Sequence, residues 1–323
     1  MRYLFVISHC ESVLIPRRQG AGDHQEDFPL KRYIAGLACA ATAVLSAPAL
    51  ASTAHAQAAD PITALKSQFK SGRGVTFTDT IKTRRQQKTT VLGKRIGELQ
   101  FDTSGVVASD YTTSLRFKEG DLAFLTETSG GEKTQADKQF EKLLAGMAVP
   151  ERVIRIKKKA YISGGMFSQF MPADKSWLQY PGDTHGATGS LGQLVNVAEP
   201  ATLKALLAHA TVKRTSTYTG KITYGELYKI SPWFRAGAGV GARATLPPHL
   251  RKAKIDWKLV LDGRGLPATL TASYGSGATI HTAYGNWGAP VTITAPPADQ
   301  IATVKELQAG FEAVETIPLV SGK

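Results

Sequence analysis

The chain has almost no cysteine. Two occur in 323 residues, Cys10 and Cys39, and both precede the cleavage point argued below, so no disulfide is expected in the working domain. Histidine is scarce as well. Beyond residue 58 there are only His185, His209, His249 and His281, none paired at the spacing of a metal-binding helix, and no metal site is expected. A Gly-x-Ser-x-Gly nucleophile elbow is missing, because Gly189-Ser190-Leu191-Gly192 has the wrong spacing. Gly237, Gly239 and Ala242 match a dinucleotide-binding glycine pattern, but Ser231-Pro232 and Pro247-Pro248 interrupt the strand and helix that such a turn requires. That stretch, Pro232 to Pro248, reads as a loop or flap. Asp256 and Asp262 fall on the polar side of an alternating strand and in an Asp-Gly turn. With no catalytic residue and no cofactor singled out, the chain reads as non-enzymatic.

Long apolar runs are also few. One stands out, Ile34 to Leu50, rich in Ala and Leu, which follows Lys31 and Arg32 and leads to Ala54-His55-Ala56 and Ala56-Gln57-Ala58. A positive start, an apolar stretch and small-x-small sites make residues 31–58 a cleavable export signal, with Ala56 and Ala58 as cleavage residues. The run is at the short limit for a membrane span. Cys39 does not suit lipid attachment, since Gly36-Leu37-Ala38 precedes it and the apolar run continues beyond it. Residues 1–30, with Asp23, Glu26 and Asp27 ahead of the basic pair, fit no export pattern. They are expected to be a disordered, spurious extension, with translation starting at Leu30. What remains, residues 59–323, is expected to be a single secreted domain.

Acidic residues are outnumbered, 26 against 39 basic, for a net charge of +13. Removing residues 1–58 takes away five basic and four acidic residues and leaves +12. Outside a cell this charge favours anionic membrane or cell-wall surfaces, whereas the compartment and the absence of a recognition motif argue against nucleic acid.

What is present is mostly strand-forming. Val75, Phe77 and Ile81 alternate with Thr76, Thr78 and Thr80, and Ile255, Trp257, Leu259 and Leu261 alternate with Asp256, Lys258 and Asp262, as in half-buried antiparallel strands. Further strands are predicted at 97–101, 114–117, 153–156, 159–163, 177–180, 217–224, 267–274, 279–287 and 291–294. Four short helices are expected: one capped by Asp60 with Pro61 at its first position, one at Thr134 to Met147 ending before Pro150, one opened by Pro200, and one opened by Pro297 and Asp299. No internal repeat is visible. A sheet of about ten twisted strands curls or splits, and so few helices would cover one face of it. Met166, Phe167, Phe170 and Met171, with Trp233-Phe234, form apolar clusters that would suit either the ends of a core or a rim around a cavity.

The chain resembles the lipid-carrying lipoproteins of the actinobacterial cell envelope, of the LppX and LprG type, and their secreted homologues. The residues that carry the likeness are Lys159-Ala160-Tyr161-Ile162-Ser163 with Lys175-Ser176-Trp177, and Pro200-Ala201-Thr202-Leu203-Lys204-Ala205-Leu206-Leu207. They continue with Ile255-Asp256-Trp257-Lys258-Leu259 and Gly265-Leu266-Pro267, and end with Tyr284-Gly285-Asn286-Trp287-Gly288 up to Pro296-Pro297. The likeness implies an α+β fold similar to the LolA type: a large antiparallel sheet curled into a half-barrel, with a few helices covering its concave face around an apolar cavity. It implies a non-enzymatic carrier or sensor, here a monomer without the lipid anchor of the best-known members, that binds the acyl chains of a lipid, glycolipid or lipoprotein. Expected wall and rim residues are Phe77, Phe101, Met166, Phe167, Phe170, Trp177, Tyr218, Trp233, Phe234, Trp257, Tyr284 and Trp287. A basic extracellular protein that binds anionic wall polymer or a partner protein, and a secreted hydrolase, are the alternatives.

Overall fold

The alternation at Val75, Phe77 and Ile81 becomes the inward side of a strand. In the computed structural model of the chain, these side chains are buried while Thr76, Thr78 and Thr80 on the other side are partly exposed. The structure describes residues 60–85, 88–116, 146–180, 182–238, 246–275 and 277–313. The expected extension and export signal, with Ala56 and Ala58, lie outside the described residues, as does nearly all of the helix expected at 134–147.

In chain order the described elements begin with helix α1 (Pro61–Lys66) and strands β1 (Arg73–Arg85), β2 (Lys88–Asp102), β3 (Gly105–Leu115), β4 (Glu151–Ile156), β5 (Lys159–Gly164) and β6 (Trp177–Tyr180). Helix α2 (Pro200–Ala208), strands β7 (Ala210–Lys213) and β8 (Thr217–Thr223), and helices α3 (Tyr224–Ile230), α4 (Pro232–Gly237) and α5 (Pro248–Arg251) follow. Strands β9 (Lys254–Leu261), β10 (Pro267–Ser273), β11 (Ala278–Pro290) and β12 (Ile301–Ala302) precede the last helix, α6 (Val304–Ala313).

The strands form one curled sheet, in the order β12-β6-β5-β4-β3-β2-β1-β11-β10-β9-β8-β7, that does not close. Every pairing is antiparallel except the two-residue contact of β12 with β6. This is the expected half-barrel class.

One face of the sheet carries the main core. Val75, Phe77, Leu99, Phe101, Tyr111, Val153, Ile222, Trp257 and Leu270 pack there against Leu65 of α1, Leu203 and Leu206 of α2, Leu227 of α3, Trp233 and Phe234 of α4, and Leu194, Val195, Val197 and Ala198 of the loop before α2. Each large apolar side chain buried this way contributes about 1.5–3 kcal/mol relative to exposure. On the opposite face a smaller cluster joins Ala108, Ile154, Tyr161 and Trp177 to Val291 and Ile293 of the segment that crosses from β11 toward β12.

Three local expectations change. Pro232 does not interrupt structure; it takes the first position of α4, where no amide hydrogen is needed, and Ser231 caps the helix by accepting from Phe234 N at 2.9 Å. The last helix begins later than Pro297, because Ile301 pairs with Trp177 and Thr303 with Glu306 forms the cap, Thr303 N donating to Glu306 Oε2 at 2.7 Å. Residues 291–294 cross the back of the sheet as extended chain outside any strand.

Candidate functional site

The antiparallel register places a row of polar side chains across the middle of the inner face. Thr282 pairs with Asp79, Asp79 with Arg95, Arg95 with Thr113, and Thr113 with Glu151, across β11, β1, β2, β3 and β4. All five are buried. Charged groups at such positions are costly unless they are paired or hydrogen-bonded.

Their partners come from the loop of residues 182–198, which lies over the row. Arg95 Nη2 donates to the carbonyls of Thr188 (3.5 Å) and Gly189 (3.2 Å), Nε donates to Thr113 Oγ1 (3.2 Å), and the guanidinium lies 4.9 Å from the centre of the Tyr111 ring. Glu151 accepts from Ala187 N (3.0 Å), Thr188 N (3.0 Å) and Thr188 Oγ1 (2.7 Å). Asp79 accepts from Thr282 Oγ1 (2.8 Å) and Gln193 N (3.2 Å). Gly192 is required by closeness: a Cβ there would stand 1.9 Å from Arg95 Cζ. At the loop's start Asp183 pairs with Arg155 through two bonds of 2.7 Å, and the Arg155 guanidinium sits 4.8 Å from the Trp233 ring centre. Farther along the layer, Glu199 ties α2 to α4 by accepting from Trp233 N (2.9 Å) and from the Ser231 hydroxyl.

Burial pushes the carboxyls of Asp79, Glu151 and Glu199 above the usual range, against the opposing pull of their hydrogen bonds and of nearby arginines. His185 moves the other way. It is fully buried, 4.1 Å ring to ring from Trp233, and burial together with Arg155 and Arg95 holds it well below the ordinary imidazole value. Neither ring nitrogen has a hydrogen-bond partner among the described residues. The row and its loop therefore form a fastening inside the molecule, with every carboxylate engaged.

Most of the aromatic residues expected at the cavity do come together. Phe77, Phe101, Trp233, Phe234, Trp257 and Trp287 are buried in the one core, with Tyr218, Tyr284 and Phe167 partly buried against it. Met166 and Phe170 are partly buried in a 3-10 turn, Gly165–Phe170, that follows β5. Trp177 stands apart on the other face of the sheet, where it lies 5.4 Å from the Arg152 guanidinium and packs in the smaller cluster. Among the described residues the core rings of Phe77, Tyr111 and Trp233 pack closely against one another. The void between sheet and cover, walled by Phe77, Leu99, Trp233 and Tyr284 and edged by Asp79 and Gln193, has a volume of about 10 Å³, room for no more than one water.

A larger space opens at the surface. A cleft of about 480 Å³ is lined by Ser67, Gln68, Lys70, Arg73, Trp287 and Gly288. It lies where α1 runs into β1 and where β11 bulges. Residues 286–288 oppose only Val75, since Gly74 pairs with Ala289 and Thr76 with Gly285, and a bulge of this kind re-aims a side chain. Asn286 and Gly288 take positive φ (56° and 80°), and between them Trp287 turns inward to stack on Phe101 at 6.1 Å and donate to Pro267 O at 2.9 Å. Of the cleft residues, sequence reading marks only Trp287. The Tyr-Gly-Asn-Trp-Gly run, with two glycines and an asparagine inside a strand pattern, carried the signal for the bulge.

No family model and no curated protein sequence matches the chain. Among solved structures it is similar to the lipoprotein LppX of Mycobacterium tuberculosis, at 13% identity and a TM-score of 0.32 over 72% of this chain and 96% of that one. It is similar to the hypothetical protein CT021 of Chlamydia trachomatis, at 10% identity and a TM-score of 0.26 over 72% and 95%. It is also similar to the LolA superfamily protein NE2245 of Nitrosomonas europaea, at 7% identity and a TM-score of 0.27 over 73% and 93%. These scores are too low to carry an argument about the site, and the half-barrel is read from the sheet itself.

Proposed function

We propose that this protein is an exported, non-enzymatic carrier that takes acyl chains of a lipid-like ligand between the concave face of its sheet and the layer over it. The observation that carries the reading is the composition of that interface. An aromatic wall, Phe77, Phe101, Tyr111, Trp257 and Tyr284, faces a cover of short separate helices and a loop, and the loop is held at a few polar points, Arg95, Glu151 and Asp79. In this reading a ligand enters by displacing the cover from the wall, because the void between Phe77, Leu99, Trp233 and Tyr284 measures only about 10 Å³. Each buried methylene contributes about 0.8 kcal/mol, so one 16-carbon chain supplies on the order of 10 kcal/mol to replace the contacts given up. The buried carboxylates serve as fastenings in this reading, because hydrogen bonds from the cover occupy them.

The test is native mass spectrometry and solvent extraction of protein purified from its own producing cells and medium, followed by titration of the emptied protein with a labelled fatty acid. A co-purifying acyl compound and saturable uptake of the label are expected. Protein that emerges empty and ignores the label, yet binds anionic wall polymer in a salt-sensitive way, would overturn the carrier in favour of a surface-binding protein.

A further inference from the structure

We infer that the cleft beside Trp287 is a receptor for the phosphate-bearing head group of an acylated ligand, placed at the entrance to the inner face. The inference rests on the carrier reading and adds to it the chemistry of the ligand's polar end.

The donors and acceptors around the cleft are unequal. The turn after α1 uses its own carbonyls: Lys66 O accepts from Phe69 N (3.1 Å), Gln68 O from Lys70 N (2.9 Å), and Lys70 O from Arg73 N (3.1 Å). Gly72 O accepts from Val291 N (3.0 Å), and Ser67 Oγ donates to Ala64 O (2.7 Å). The cations are far less engaged. Lys70 is exposed and makes no side-chain hydrogen bond or ion pair among the described residues, and Arg73 has a single long contact, Nη1 to Gly288 O at 3.4 Å. Gln68 Nε2 uses one of its two hydrogens on Ser67 Oγ (3.0 Å). None of the residues lining the cleft is acidic. A space whose turn carbonyls are consumed, with two cations and an amide still able to donate and the Gln68 Oε1 carbonyl as its one neutral side-chain amide acceptor, suits an anion, and phosphate fits Arg and Lys donors together.

Position argues that the anion has a chain attached. The cleft floor is Trp287, whose ring centre lies 5.9 Å from that of Tyr284, and Tyr284 is itself a wall of the inner void. The cleft at about 480 Å³ has room for a glycerophosphate-sized group, whereas the void at about 10 Å³ has room for none until the cover parts. A head group anchored at Lys70 and Arg73 would lay its chain along Trp287 and Tyr284 toward Phe77 and Leu99. The same end of the sheet bears the β4–β5 turn, where Lys157 and Lys158 occupy positive φ (48° and 68°) and Lys159 follows. Three strand spacings, about 14 Å, separate it from β1, so it adds attraction for an approaching anion. Asp102, the carboxylate at this end of β2, is occupied by Ser104 and Gly105.

The experiment compares two 16-carbon monoacyl ligands, a lysophosphatidylglycerol and the uncharged monoacylglycerol, with glycerol phosphate as a chainless control, on wild-type protein and on Lys70→Gln/Arg73→Gln. The single variant Lys70→Gln, at an exposed turn position, guards against misfolding of the pair. The expected result is that the phosphate ester binds about tenfold or more tighter than the neutral ligand. The double variant should abolish that advantage and leave the neutral ligand within about twofold of wild type, with Lys70→Gln intermediate. Equal binding of both ligands, unmoved by either variant, would overturn the head-group site and leave the carrier standing. Uptake of neither would overturn the carrier itself. Glycerol phosphate binding as tightly as the lysolipid would assign the cleft to a soluble phosphate compound and overturn its role as an entrance.

Discussion

Arg95 and Asp79 face each other across β1 and β2 with 3.9 Å between Nη1 and Oδ2, and neither side chain is exposed to solvent. Arg95 also holds the loop of residues 182–198 through the Thr188 and Gly189 carbonyls. Arg95→Met should therefore lower the unfolding free energy by about 3–5 kcal/mol, the usual cost of leaving a buried charge and its acceptors without a partner. Asp79→Leu/Arg95→Met should recover much of that loss, because it removes both charges. Urea denaturation of the three proteins checks this; a double variant no better than Arg95→Met would refute it.

Gly192 offers a second route to the same fastening. A methyl at this position would lie 1.9–2.1 Å from the guanidinium carbon and nitrogens of Arg95, and a fully buried arginine has nowhere to retreat. Gly192→Ala should cost about 1–3 kcal/mol through overpacking, but much less in the Arg95→Met background, where the obstructing group is gone. The coupling in a double-mutant cycle is the quantity to measure.

The buried titratable groups act in opposite directions with pH. His185 is held below its unfolded value of about 6.5, so as pH falls through 6.5 the unfolded chain binds the proton first. Stability then declines by up to about 1.4 kcal/mol per pH unit until the folded imidazole also titrates. Asp79, Glu151 and Glu199, raised by burial, bind protons first in the folded state. They add stability as pH falls from their folded values toward about 4 and lose it again as pH rises through those values. His185→Phe removes only the first effect. Its unfolding midpoint should fall less than that of wild type between pH 6.5 and 5, with parallel behaviour above pH 7.5. Curves that stay parallel throughout would exclude His185 as the source.

Gly288 governs the shape of the cleft. At φ 80° a side chain is strained, and a Cβ would lie 2.9 Å from Gln68 Oε1. Gly288→Ala should cost about 1–2 kcal/mol of stability and displace Gln68. The affinity for the phosphate ester should then drop while that for the neutral monoacylglycerol holds. Paired titration of the two ligands reads the effect directly.

Much of the sheet was legible because strand alternation survives any tertiary context. Val75, Phe77, Ile81 and Ile255, Trp257, Leu259 point inward as their spacing predicts. Asp79 was passed over although the same spacing puts it at an inward position between Phe77 and Ile81, because its partners Arg95, Gln193 and Thr282 are far along the chain and only the fold unites them. Helix α3 escaped notice although Thr223 and Glu226 form a capping box, since the strand pattern of β8 runs into it. The aromatic residues of the core were found because aromatic rings are large and rare. Lys70 and Arg73 were not, because one exposed cation in a sequence looks like any other until a bulge two hundred residues away places a tryptophan beside it.

The twelfth strand is two residues long, and the seventh, at the opposite margin, is four. A sheet left open offers unpaired amides and carbonyls at both rims, where a second molecule could add strand upon strand into a fibre. Rims this brief, one made by a parallel touch at Ile301 and the other ending in Lys213, give such growth almost nothing to start from. Among the described residues, the unclosed sheet therefore presents little free edge for a second copy to extend.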